Sequence, residues 1–426
     1  MPHRAPRLLL LATTTGYQTR AFGEAAGRQG VALAFGTDRC DRLDDPWRDA
    51  AVPIRFHRED EAVAALVDAA AREPIDGILV VGDRPVVIAA RLAAALGWPG
   101  HPPAAAAVSR DKRLTREALA GAGLPVPWFR TVPLDTDPVS LAGTVPYPCV
   151  VKPLALSGSR GVIRADDPAT FEQAFERLGR LLRSTDVRAL HDPALDFVQI
   201  EGFIPGQEYA VEALLDRGRL RVLAIFEKPD PLDGPFFEET IYVTPPRVMA
   251  AVTDAIESAV AAAARAIGLY HGPIHAECRV GAGGIFVLEV AARPIGGLCA
   301  RALRFEAPGL SGPCSLEDLL VRHAIGQPTD GWRREAAAAG VMMIPIPRAG
   351  LYRGVDGADE AAAVDGIEAV VLSARPDQSL VPLPEGASYL GFIFARGGTT
   401  AAVEARLREA HGRLRVRIDP VLPVVR

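Results

Sequence analysis

Residues 285–292 read IFVLEVAA, a carboxylate set inside an apolar strand. An ionised group cannot be left unpaired in such a place, so the fold must bring a cation to Glu289. The surrounding segment, HAECRVGAGGIFVLEVAARPIGG (residues 275–297), is two apolar runs joined by glycines, which predicts a β-hairpin. With side chains alternating, His275, Glu277 and Arg279 share one face of the first strand, and Val287, Glu289 and Ala291 share one face of the second. If Glu277 and Glu289 face the same side, two carboxylates converge. Convergent hard oxygens suit Mg2+, which keeps its waters and bridges nucleotide phosphates. Arg293, four residues on, is placed to reach a transferred phosphoryl group, and Gly296 and Gly297 permit close approach of a substrate. A pair of structural ion pairs is the competing explanation.

Two earlier segments fit the same chemistry. Residues 150–165, VVKPLALSGSRGVIRA, read as strand, loop and strand. Lys152 lies in the first strand, and Ser157, Gly158, Ser159 and Gly161 lie in the loop. Successive amides in a glycine-rich loop form a nest for phosphate oxygens. The loop lacks the Gly-Lys-Ser/Thr of a P-loop, and a polar hairpin turn is the plain alternative. Residues 197–215, FVQIEGFIPGQEYAVEALL, carry Glu201 at one strand end and Glu208 at the next strand start. Extended backbone there can pair with a base edge, and a carboxylate can accept from ribose hydroxyls. Two surface glutamates flanking a Pro-Gly turn would read the same way.

A chain of 426 residues is too long for one core. Residues 1–108 alternate strand and helix: strands at 8–12, 31–36 and 77–81, helices at 61–71 and 84–96. Apolar, non-alternating strands predict an open parallel α/β sheet covered on both faces. Ser109 or Asp111 can cap a helix that ends at 121–123. Strands are expected at 208–215, 220–227, 274–280 and 285–291, with a helix at 247–267. Residues 326–338 read as a linker, and 339–426 as a small α+β domain. The net charge of −5 argues against nucleic acid as a main partner. The apolar run at 8–12 is too short for a signal core or a membrane span. Five cysteines without a CxxC pair fit a reducing cytoplasm.

The three segments, in this order, resemble the ATP-grasp superfamily. The resemblance implies an α/β N-terminal domain (1–108), an ATP-grasp domain (109–326) with a mobile lid at about 146–205, and a C-terminal domain (339–426). It implies that Lys112 and Lys152 contact the nucleotide phosphates under the loop Ser157, Gly158, Ser159 and Gly161. Glu201 and the backbone of Gly202 and Ile204 would meet adenine, and Glu208 would hold ribose. Glu277 and Glu289 would ligate Mg2+, with Mn2+ able to substitute. Within the superfamily, ARPIGGLCARAL after Glu289, EKPDPLDGPFFEETIYVTP (227–245) and YLGFIFARGGTTAAVEARLREAHGRL (389–414) resemble bacterial L-amino acid ligases and related carboxylate–amine ligases. That implies amide formation between amino-acid-like substrates through an acyl phosphate, with release of ADP and phosphate. Arg293 and Lys152 would be catalytic, and Glu239, with its neighbour Glu238, would hold a substrate ammonium. The partners implied are a small carboxylate and a small amine, with homodimers common in the family. One departure stands out: Ala291 occupies a position where many members carry a metal-binding Asn. Two rival readings are a biotin-carboxylase-like enzyme, which lacks a biotinyl segment here, and a non-catalytic nucleotide-binding module, supported only by Ala291.

Overall fold

A computed structural model describes residues 4–13, 17–38 and 51–420. Cys40 lies outside the described residues. The strands Arg7–Ala12, Ala32–Thr37, Val52–Pro53 and Gly77–Val81 form one parallel sheet. Its central run needs no alternation because both faces are covered. Leu9 and Leu11 pack with Leu66 and Ile88, whereas Leu8 and Leu10 pack with Phe22 and Leu319. This is the open α/β sheet that the apolar strands predict.

A second, antiparallel sheet runs in the order Phe129–Pro133, Phe197–Gly202, Cys149–Pro153, Ile163–Ala165. The helix Pro168–Leu182 covers one face. Its Phe171, Phe175, Leu178 and Leu182 recur at helical spacing and bury against Val151, Val198 and Ile200. Asp167 starts the helix with a reciprocal capping box to Thr170.

The third sheet has eight antiparallel strands. In spatial order they are Gly284–Ala291, Gly272–Gly281, Gln207–Asp216, Arg219–Glu227, Ile241–Thr244, Ala338–Ile344, Gly391–Gly397 and Ile367–Leu372. Ile241–Thr244 pairs residue by residue with Met342 back to Ala339. The sheet therefore runs without a break across the position where a C-terminal domain is expected to begin. Residues 326–338 are not a free connector either. Trp332 is buried, Arg333–Arg334 pairs with Arg304–Glu306, and Arg221 Nη1 donates to the Thr329 carbonyl at 2.6 Å. Gly and Pro there mark tight turns in a packed segment. Among the described residues, no helix is long and apolar enough to cross a membrane.

Candidate active site

The hairpin that carries Glu289 contains a β-bulge. Glu277 pairs with Glu289 and Cys278 with Val287, which leaves Leu288 as an extra residue. The expectation that Val287 and Glu289 share a face is therefore corrected. Val287 enters the core with Cys278, whereas Glu277, Leu288 and Glu289 all line the cleft. A period-two reading fails where one residue is inserted into the ladder. Arg116, only 1% exposed, holds the bulge in place. Its Nη1 donates to the carbonyls of Val287 and Leu288, both at 3.0 Å. Its Nε and Nη2 grip the Glu201 carboxylate at 3.0 and 3.2 Å.

The cleft has a volume of about 490 Å³ and lies between the second and third sheets. It is lined by Lys112, Lys152, Ser157, Gly158, Ser159, Glu201, Gly202, Ile204, Glu208, Glu239, Glu277, Glu289, Arg293, Gly296 and Gly297. Gly161, grouped with the phosphate loop by sequence, is not in the lining. Its N–H donates to the Pro384 carbonyl at 2.8 Å, and a Cβ there would meet Leu178 at 2.9 Å. With φ of +75° it is a structural glycine at the foot of the loop. Glu238 is half-buried outside the cleft wall.

At the loop end, the amides of Ser157, Gly158 and Ser159 make no hydrogen bond to a protein acceptor among the described residues. Gly158 and Ser159 adopt left-handed φ values of 62° and 56°, a tight turn that leaves successive amides available to an anion. Lys112 Nζ donates to the Leu156 carbonyl at 2.6 Å and stands 4.0 Å from Glu289. Lys152 Nζ donates to Glu201. Burial lowers its pKa to about 8, and Glu201 limits the fall. For Glu201, burial pushes the pKa up, but Arg116 and Lys152 outweigh it and hold the carboxyl at about 2. Gln199 adds a fourth donor at 2.9 Å. Four donors saturate this carboxylate, which ties Lys152 to Arg116. Gly202 gives its N–H to the Trp128 carbonyl at 2.8 Å, and the Ile204 carbonyl accepts from Arg279 at 2.7 Å. The Ile204 N–H has no protein acceptor among the described residues.

At the other end, the Lys228 ammonium is the hub. Its Nζ bonds Glu208 and Glu239 at 2.6 Å and Glu277 at 2.8 Å. Arg279 takes the second oxygen of Glu208 at 2.8 Å. His275 is buried, with Nδ1 2.5 Å from Glu212 and Nε2 3.7 Å from Glu277. Burial opposes its protonation, but hydrogen bonds to the two glutamates raise its pKa to about 9. Burial also pushes Glu239 up to about 7, with Lys228 pulling the other way. Glu277 is likewise pushed up by burial, but Lys228 and His275 outweigh that and hold it well below the carboxylate range. Arg293 Nε and Nη2 grip Asp83 of the N-terminal sheet at 2.7 and 3.1 Å, and Nη1 donates to the Pro294 carbonyl at 3.0 Å. Three of its five N–H groups are thus engaged.

The donor set fits a Mg2+–triphosphate. Two cross-strand carboxylates share the cleft with the unengaged loop amides and Lys152. Ala291, buried opposite His275, adds no donor. Sequence reasoning missed Asp83, Arg116, Glu212 and Lys228. Glu212 was within reach, since Glu208, Ala210 and Glu212 alternate along one strand. Arg116 and Lys228 look like ordinary solvated side chains, because their partners are far away in sequence.

Three family models match the chain: ATP-grasp N-terminal domain over residues 23–100, ATP-grasp domain over 145–302, and L-amino acid ligase C-terminal domain 2 over 342–419. The crystal structure of L-amino acid ligase from Bacillus licheniformis aligns with a TM-score of 0.82 at 27% identity, over 98% of this chain and 100% of that one. A D-alanine–D-alanine ligase of Aromatoleum aromaticum is 30% identical over 166 residues, 38% of this chain and 50% of the relative. Protein y4rH of Sinorhizobium fredii is 26% identical over 327 residues, 76% of this chain and 64% of the relative. The chain thus spans between half and two-thirds of these two curated relatives. The chain belongs to the ATP-grasp superfamily of ligases. Its C-terminal region matches the L-amino acid ligase C-terminal domain, and the whole chain aligns with an L-amino acid ligase structure.

Proposed function

We propose that this protein joins the carboxylate of one amino-acid-like substrate to the amine of another, using ATP. The observation that carries the reading is a single cleft holding a run of unengaged amides, the buried Lys152, the half-buried Lys112 and two cross-strand carboxylates. In this reading the amides of Ser157, Gly158 and Ser159, with Lys112 and Lys152, hold the triphosphate. The Ile204 N–H donates to adenine, and Leu288 packs on the base. Mg2+ held by Glu277 and Glu289 would supply positive charge toward the phosphate oxygens. Phosphoryl transfer to the substrate carboxylate gives an acyl phosphate, and the amine then displaces phosphate. Arg293 donates its remaining N–H groups to the carbonyl oxygen as charge develops there. Glu239 receives a substrate ammonium. Cys299, Met343, Tyr389 and Phe392 form an apolar wall in the same cleft, which favours an apolar side chain on one substrate.

The test offers purified protein ATP, Mg2+ and pools of L-amino acids, followed by mass spectrometry of the products. ADP, phosphate and a dipeptide are expected. Formation of AMP and pyrophosphate would overturn the acyl-phosphate scheme, and nucleotide binding without turnover on any pool would favour a binding module.

A further inference from the structure

Far from the cleft, a second cavity of about 820 Å³ lies where the N-terminal sheet, the central sheet and residues 323–333 meet. We propose that Asp216, His271 and His323, which line it, form a site for a divalent transition metal of the zinc type. One donor atom from each residue lies within 4.8 Å of the others. The three come from different elements. Asp216 ends the strand Gln207–Asp216, His271 immediately precedes the strand Gly272–Gly281, and His323 lies in the last turn of the helix Leu316–Ala324. Pairing of Gly272 with Leu215 sets His271 beside Asp216, with Nδ1 3.4 Å from Oδ1. The His271 and His323 rings stack with centroids 4.4 Å apart.

An unexplained vacancy in hydrogen bonding points to a ligand. His271 Nδ1 and His323 Nε2 are buried, and among the described residues His323 Nε2 has no hydrogen-bond partner, whereas His271 Nδ1 has only the long 3.4 Å approach of Asp216 Oδ1. Two such poorly satisfied ring nitrogens facing one carboxylate are costly unless something binds them. Burial disfavours the charged form of both rings, and neutral imidazole is the form that ligates metal. His101 also lines the cavity but is excluded as a ligand. Its Nδ1 accepts from the Tyr270 N–H at 3.1 Å, which places the proton on Nε2.

Two imidazoles and one carboxylate match zinc-type ions and not Mg2+. Three protein ligands leave a fourth position open toward the cavity. Zn–N bonds of about 2.0–2.1 Å require the donors to draw together. Asp216 can supply that movement, because its side chain is half exposed at the turn before Arg219. Arg217, Arg219 and Arg221 also face this region and oppose a cation. Arg219 is shared with Asp330 at 3.9 Å, and Arg221 is committed to Thr329. Eight residues of strand separate Asp216 from Glu208, about 26 Å at about 3.3 Å per residue, so this site is distinct from the nucleotide cleft.

The test is equilibrium dialysis of the untagged, chelator-treated full chain against Zn2+ without nucleotide, read by elemental analysis. One Zn2+ per chain is expected, and Co2+ should give the visible absorption of a low-coordinate site. Losing even an outer-shell partner of a metal ligand costs about tenfold in affinity, so His323→Ala and Asp216→Asn should each cost at least that. Glu277→Gln, which alters the other carboxylate cluster, should leave this Zn2+ bound. Asp216→Asn changes a half-exposed side chain and keeps the test valid if His323→Ala does not fold. No Zn2+ on the wild-type chain, unchanged affinity in Asp216→Asn, or loss only in Glu277→Gln would each overturn the site. None of these outcomes depends on ligase turnover.

Discussion

Arg116 joins the carboxylate that fixes Lys152 to the two carbonyls that fix the bulge beside Glu289. Removing one partner of a buried pair strands the other, at a cost of about 3–5 kcal/mol. Arg116→Met should therefore lower the urea midpoint sharply and, if folded, raise the KM for ATP. Arg116→Lys should rescue little, since one ammonium cannot span both sets of acceptors. Glu239 gives a pH signature. Burial raises its pKa from the ordinary glutamate value of 4.5 to about 7. Its stabilising contribution is thus complete below about pH 4.5 and is lost as the pH rises through 7. Urea unfolding across pH 4–8 should show wild type losing stability relative to Glu239→Gln over that window. If Glu239 binds the amine, the KM for that substrate should also fall as the pH rises through 7, and the variant should lack this dependence. At this scale the sequence displayed most of the residues that meet in the cleft, because unusual groups in apolar runs stand out. It did not display their partners, because Arg116 and Glu201 are brought together only by the fold.

Within single elements, the loop between Lys152 and Ile163 separates two kinds of glycine. A Cβ at Gly158 would meet nothing within 4 Å, whereas one at Gly161 would press on Leu178. Both positions have positive φ, so Ala strains both by about 1–3 kcal/mol. Gly161→Ala should add a clash and lower the melting temperature, with little change in the KM for ATP when folded. Gly158→Ala should act mainly on the KM for ATP. Thermal melting and steady-state kinetics on the two variants separate the roles. Several strands and helices were legible: residues 77–81 are a strand as expected, and Gly97 ends its helix in the left-handed conformation, whereas the helix Leu316–Ala324 and the strands Gly350–Asp356 and Ile367–Leu372 were not. The bulge at Leu288 was not legible, since an inserted residue in an apolar run leaves the composition unchanged.

Across the whole molecule, ties between distant segments hold the cleft walls in register. Arg293 grips Asp83 from the N-terminal sheet. Arg177 of the helix Pro168–Leu182 grips Glu385 at 2.5 and 2.9 Å, and Arg160 Nε donates to the Glu385 carbonyl at 2.8 Å. Glu385→Ala should loosen the loop and helix that Arg160 and Arg177 anchor. Faster amide exchange over residues 157–165 is expected, along with more ADP formed per mole of product as water reaches the reaction. Unchanged exchange there would show that the latch is idle. The pairing of Ile241–Thr244 with Ala338–Ile344 was invisible in the sequence, because nearly a hundred residues separate the partners and short apolar strands do not name their mates.

That splice has a consequence for anyone cutting the gene. A chain stopped at 338 would bare the backbone of Ile241–Thr244, whose four side chains are all buried in the intact sheet. An uncapped apolar edge of this kind recruits foreign strands, so the shortened protein should collect in the insoluble fraction. Exchanging tails between relatives would meet the same obstacle unless both mated strands travelled together.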